Sequence, residues 1–176
     1  MPKILSLDPA SLKNLGVCVS NISKDGMQIL ESLTKIFDVT VENKDKRLHD
    51  TKEFICDLLL RHAIDFIVFE RSMGFGKIFI RDQLSEQTGI VKLIAYENKI
   101  PIVQISPKTA KLYIAGSGNA DKKKVIQSVL DTFGIKKETL SSEHEADAIS
   151  MAYAYMKILY EEKPQTAKAN KVKKDA

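Results

Sequence analysis

Two short runs of this chain, Lys3-Ile-Leu-Ser-Leu-Asp8 and Asp65-Phe-Ile-Val-Phe-Glu70, carry apolar residues on both faces of an extended chain, and each ends in an acid. Such a run predicts a central strand, covered on both sides of its sheet. Asp8-Pro9 stops the first, because proline has no N–H to continue a ladder. Leu15 to Ile22 predicts a second strand, Lys24-Asp25-Gly26 a turn, and Met27 to Phe37 a third strand closing an antiparallel meander. From Arg47 to His62, Leu48, Phe54, Ile55, Leu58 and Leu59 recur at helical spacing. After Glu70 come a glycine-containing loop, Arg71 to Lys77, a helix from Phe79 to Asn98 and a short strand from Ile100 to Ile105. Pro107 to Ile114 reads as one or two helical turns, and Asp121 to Phe133 as a helix ended by Gly134. Ser142 to Tyr160 is the last helix. Three strands, then two alternating helix–strand units, then helices define an α/β fold. It is a mixed five-stranded sheet, an antiparallel meander plus two parallel strands, with helices on both faces.

The chain has 176 residues, enough for one domain with a single core. Its net charge of +4 is carried entirely by the last 14 residues, where five lysines (163, 168, 171, 173 and 174) face one acid, Asp175. Residues 1–162 are therefore neutral as a whole, and any binding of nucleic acid by that body requires charge segregated onto one face. Residues 163–176 lack apolar periodicity and are expected to form a disordered basic tail, most simply a solubilising end. No segment has the apolar length of a membrane span, and Asp8 interrupts the first apolar run too early for a secretory signal. Cys18 and Cys56 each lie in an apolar stretch and are expected to be buried free thiols.

Three acids stand where a globular protein gains nothing from charge. Asp8 and Glu70 end buried strands, and Asp147 lies between Ala146 and Ala148 at the start of the last helix. Each alone has an ordinary reading: a turn cap for Asp8, a solvated rim for Glu70. The helix macrodipole by itself accounts for Glu143, Glu145 and Asp147. Three unpaired carboxylates buried near one another do not have such a reading, because the desolvation cost is severe. A divalent cation removes that cost, and hard oxygen ligands suit Mg²⁺ or Mn²⁺. His144 shares a helix face with Asp147, three residues away.

These residues resemble a known family, the RuvC-type Holliday-junction resolvases of the ribonuclease H-like superfamily. ILSLDPASLKNLGVCV is similar to the family's opening block, with Asp-Pro after the first strand and a glycine at the start of the second. DFIVFERSMGF resembles its second block, a hydrophobic strand ending in the catalytic Glu. HEADAISMA resembles the last block, and AGSGNADKKKV the family's basic GxGxAxK segment. The resemblance runs from about residue 3 to 157, and all four blocks fall in the family's order. It implies a catalytic metal site of Asp8, Glu70, His144 and Asp147, with Asp8 bridging two Mg²⁺ ions (Mn²⁺ as substitute). It matches Lys111 and Lys122 to basic residues near the scissile phosphate, and DNA contacts are expected also from Lys123 and the loop residues Arg71, Met73, Phe75 and Lys77. The partners it implies are branched DNA, above all four-way junctions, and a second copy of the chain. The chain is then expected in the cytoplasm or wherever the host or viral DNA resides, not secreted.

The sequence departs from the family at Ala10, where glycine is usual, and at Met73, where an aromatic is often placed three residues past the Glu. Met73 or Phe75 is expected either to wedge into the junction or to make a dimer contact. Lys122-Lys-Lys124 opens a helix against its dipole, which favours a phosphate partner. Three other readings stand beside the resolvase: a ribonuclease H-like nuclease for flaps, branched DNA or RNA/DNA hybrids, a sugar-kinase or actin-like nucleotide-binding domain, and a catalytically dead DNA-binding relative. The nucleotide-binding fold needs two copies of this unit, and the chain holds one.

Overall fold

The structure, a computed structural model, describes residues 1–9, 13–39, 43, 45–70 and 78–160, with side chains 78–81 and 83 excepted. Five strands form one sheet: β1 (Lys3–Asp8), β2 (Asn14–Ser23), β3 (Gly26–Ile36), β4 (Phe66–Glu70) and β5 (Ile102–Ile105). Their spatial order is β3-β2-β1-β4-β5. The first three strands are the antiparallel meander, with Asp8 opposite Gly16, and β1, β4 and β5 run parallel. This is the mixed sheet that the order of sequence patterns predicts. β1 and β4, the two runs apolar on both faces, are interior strands, as is β2.

Strand alternation divides the core in two. Leu5, Leu7, Leu15, Val17, Val19, Ile67 and Phe69 face α1 (Lys46–Arg61) and α2 (Ile78–Glu97), which bury Ile55, Leu58, Val91 and Ile94 against them. Ile4, Cys18, Ile22, Val68 and Ile105 face α3 (Pro107–Ala115), α4 (Lys122–Phe133) and α5 (Glu143–Tyr160). α5 lies along β2 and β1 with Ala146, Ala148, Ala152 and Ala154 fully buried. Small side chains on the helix allow a close approach to the sheet.

Helix ends explain the remaining boundaries. Ser106 caps α3 by accepting from the Thr109 N–H, with Pro107 at the first helical position, and Gly116 closes it in the left-handed conformation at φ 73°. Pro107–Ala115 is thus a capped helix of about two and a half turns, slightly longer than the one or two turns the sequence suggests. Asp121 caps α4 by accepting from the Lys124 N–H, and Gly134 ends it at φ 63°. Ser142 caps α5, its Oγ accepting from the His144 N–H at 3.1 Å. Of the two cysteines, Cys18 is buried and its thiol is pushed up to about 12 by that burial, whereas Cys56 is only half-buried. No helix among the described residues is long and apolar enough to cross a membrane.

Candidate metal centre

The C-terminal ends of the adjacent parallel strands β1 and β4 deliver Asp8 and Glu70, and the first two turns of α5 deliver His144 and Asp147. Asp8 is wholly buried. Its Oδ2 meets His144 Nδ1 at 3.1 Å, while Oδ1 has no hydrogen-bond partner. Burial raises the Asp8 pKa, and the hydrogen bond and charge of His144 only partly oppose it. Glu70 is pushed up to about 7 by burial first, then by the negative charges of Asp8 and Asp147. Asp147 is pushed up to about 6, again by burial and then by Asp8. His144 is shifted upward in turn, chiefly by its hydrogen bond to Asp8.

Asp8 therefore stands within electrostatic reach of Glu70, Asp147 and His144, and Asp147 within reach of Glu70 and His144. Three carboxylates and an imidazole are a donor set for a hard divalent cation, and the unpartnered buried oxygen of Asp8 fits one. Among the described residues no three His, Cys, Asp or Glu side chains are yet gathered as closely as a formed metal cage. Burial is the first cause of the rise in all three acids, and the charge of Asp8 adds to it at Glu70 and Asp147.

The basic residues divide. Lys111, on α3, lines a cavity of about 150 Å³ together with Glu70, Asp147, Pro107 and Ser150, and its charge lowers both acids. Lys122, at the start of α4, acts on Asp8 and Asp147 and donates to Glu143 Oε1 at 2.5 Å. The unfavourable placement of its charge on the helix dipole is thus answered by Glu143 and by the Asp121 cap. Lys123 is exposed on the same turn, and no contact among the described residues ties it to the acids. Arg71, Met73, Phe75 and Lys77 lie outside the described residues, as does the tail 163–176.

Gly16 acquires a physical reason here. A Cβ built on it would stand 1.9 Å from the carbonyl oxygen of His144. Only glycine lets the start of α5 rest on β2 directly beside Asp8. Glu143 and Glu145, which the macrodipole alone seemed to explain, have specific partners: Lys122 for the first, and Ser32 and Ser141 for the second. Lys122 and Ser32 come from 21 and 113 residues away in the chain, so no local pattern signals them, whereas Ser141 lies only four residues before Glu145.

A mixed five-stranded sheet in the order β3-β2-β1-β4-β5 with helices on both faces is the ribonuclease H-like fold. The profile of one family, crossover junction endodeoxyribonuclease RuvC, matches residues 4–155, and the chain belongs to that family. The crossover junction endodeoxyribonuclease RuvC of Carboxydothermus hydrogenoformans is 26% identical over 153 residues, which cover 86% of this chain and 94% of that one. Among solved structures, T. thermophilus RuvC in complex with Holliday junction substrate has a TM-score of 0.78 at 20% identity. That match covers 91% of this chain and 96% of the other. The yeast mitochondrial Holliday junction resolvase has a TM-score of 0.64 at 15% identity, covering 88% of this chain and 78% of its own. At these identities the two structures speak for the fold.

Proposed function

We propose that this chain is a metal-dependent endonuclease that resolves four-way DNA junctions by paired symmetric nicks, with Asp8, Glu70, Asp147 and His144 as its reaction centre. The observation that carries the proposal is the wholly buried Asp8, one oxygen held by His144 and the other unpartnered, beside two carboxylates raised by the same burial. The family profile and the relatives named for crossover junctions supply the substrate class.

A divalent cation at these carboxylates, Mg²⁺ or Mn²⁺ by donor type and two per site in this reading, supplies Lewis-acid stabilisation and a water of lowered pKa. The chain's own groups do the rest. His144 fixes one oxygen of Asp8 and so sets the direction of the other. Lys111, in the cavity wall beside Glu70 and Asp147, offsets their repulsion and draws a phosphate toward them. Lys122 offers a second cation, for which a DNA phosphate competes with Glu143. A homodimer places two such centres on a junction that is itself roughly two-fold symmetric.

The test is to incubate the purified protein with a labelled four-way junction, a flap and an RNA/DNA hybrid, with and without Mg²⁺. The expected outcome is symmetric nicking of the junction in Mg²⁺ only. Equal or faster cutting of the flap or the hybrid would make the chain a ribonuclease H-like nuclease of different selectivity.

A further inference from the structure

Glu145 follows His144 directly and precedes Asp147 by two, yet it serves a different side of the helix. It is only 3% exposed. Its Oε1 accepts from Ser32 Oγ at 2.6 Å, and its Oε2 accepts from the Ser141 N–H at 2.6 Å and from Ser141 Oγ at 2.5 Å. No lysine or arginine pairs with it among the described residues. Hydroxyl and backbone donors alone hold its carboxyl group. Alongside, the Thr34 N–H donates to Ser141 Oγ at 3.1 Å, and the hydroxyls of Thr34 and Ser142 meet at 2.5 Å. Ser142 is the residue that caps α5. The edge strand β3 therefore grips the first turn of α5 at four side chains, two of its own and two from the loop before the helix, around one buried carboxylate.

The macrodipole does not require this arrangement. An acid in solvent at the helix start gains the same few tenths to about 1 kcal/mol. Burying a carboxylate costs several kcal/mol before its hydrogen bonds offset that cost. What the buried arrangement adds is a fixed height of the helix above the sheet. Beneath the same turn, Gly16 leaves no slack, since a Cβ there would collide with the His144 carbonyl.

We propose, on the reading of the metal centre given above, that Glu145 is a positioning residue. Through Ser32 and Ser141, with Thr34 and Ser142 beside them, it locks the first turn of α5 onto β2 and β3. That is the height at which His144 meets Asp8, and Gly16 makes it attainable. Glu145 touches no reacting group. It acts through the two ligands that flank it on the helix.

The experiment uses the full chain as Glu145→Gln, Ser32→Ala and Gly16→Ala. Each is titrated with Mn²⁺ by calorimetry without DNA, then assayed for junction affinity and for single-turnover cleavage. Glutamine keeps the size of Glu145 but sets an amide donor against one of its three donors. Glu145→Gln is expected to weaken Mn²⁺ binding and slow cleavage by about 10- to 100-fold, with junction affinity unchanged. Ser32→Ala removes one donor of three and shifts both quantities the same way by less. Gly16→Ala lifts the helix and shifts both. If Glu145→Gln does not fold, the other two variants decide. If the folded variants bind Mn²⁺ and cut like the wild type while only their melting temperatures fall, Glu145 is a stability clip and the proposal is overturned. If the wild-type protein itself takes up no Mn²⁺, the metal centre has failed, and the positioning role with it.

Discussion

The two faces of the sheet are made by the same strands and put to opposite uses. On β1, Leu5 and Leu7 turn toward α1 and α2, while Ile4, Ser6 and Asp8 turn toward α5. β2 sets Leu15, Val17 and Val19 on the first side and Gly16, Cys18 and Ser20 on the second. The first face is adhesive, and each fully buried aliphatic side chain there is worth about 1.5–3 kcal/mol. The second leaves Ser6 Oγ and Asp8 Oδ1 buried without partners, each a cost of at least about 1–3 kcal/mol. A strand that read as uniformly buried thus splits its duties residue by residue. The strand residues of one face hold the fold, and those of the other include groups that a fold alone would reject, although α1 and α2 also bury Thr51 and Gln87 without partners.

The sharpest way to break that division is to neutralise the acids. Asp8→Asn, Glu70→Gln and Asp147→Asn should each reduce junction cleavage by more than the roughly 10- to 100-fold typical of losing a ligand's supporting partner. Junction affinity should hold or improve, since negative charge beside a phosphate is removed. Stability without metal should hold or rise, because the charges repel one another. Gel-shift, cleavage and melting measurements on the same preparations read all three. A variant that turns over near-normally takes its residue out of the centre.

A smaller effect separates the faces by pH. Glu70 rises from 4.5 to about 7 and Asp147 from 3.8 to about 6 in the folded chain. Raised acids hold protons that the unfolded chain has released, so their contribution is present below about pH 4 and is lost as pH climbs through 6 and 7. In EDTA, the melting temperature of the wild type relative to Glu70→Gln should fall across that window. Mg²⁺ at pH 7 or above should restore it, because the cation replaces those protons. Leu7→Ala, on the adhesive face, should cost about 2–5 kcal/mol at every pH without altering the profile. Parallel pH curves for wild type and Glu70→Gln would show that the acids are not coupled as their positions imply.

The same contrast accounts for what could be read in the sequence. β1 and β4 are legible nearly to the residue, because few other structures put apolar side chains on both sides of a six-residue run. The acids that close those runs are legible for the same reason, and α5 begins at the serine that caps it. Strand order rests on registers such as Asp8 with Gly16, which no local pattern encodes. Glu145 reads as a dipole partner until Ser32, 113 residues distant, is found donating to it. Gly16 matched a family pattern, but its reason, the His144 carbonyl, lies on another element altogether. Sequence shows which groups are out of place. What holds them there is a matter of tertiary neighbours.

The smallest expected effect concerns the lysines bordering the polar face, and it discriminates among them. A lysine contacting a duplex phosphate contributes about one unit to the slope of log affinity against log salt. Lys122 is bonded to Glu143, so its charge is partly spent inside the protein. Lys122→Ala should lose that slope unit and also free Glu143 to repel DNA, weakening binding beyond the slope change. Glu143→Gln should do the reverse, leaving Lys122 wholly available and tightening junction binding at low salt. Lys111 shares its cavity with Glu70 and Asp147. Lys111→Ala should therefore slow cleavage more than it weakens binding, and should raise the pH at which both acids ionise. Lys123, exposed and tied to no acid among the described residues, should show the slope change alone. Salt titrations of junction affinity for the four variants, paired with single-turnover rates, separate these outcomes. If Lys123→Ala leaves the slope untouched, it is a solvated lysine. If Lys111→Ala shifts binding and cleavage equally, its charge acts on the DNA from outside the cavity rather than at the acids.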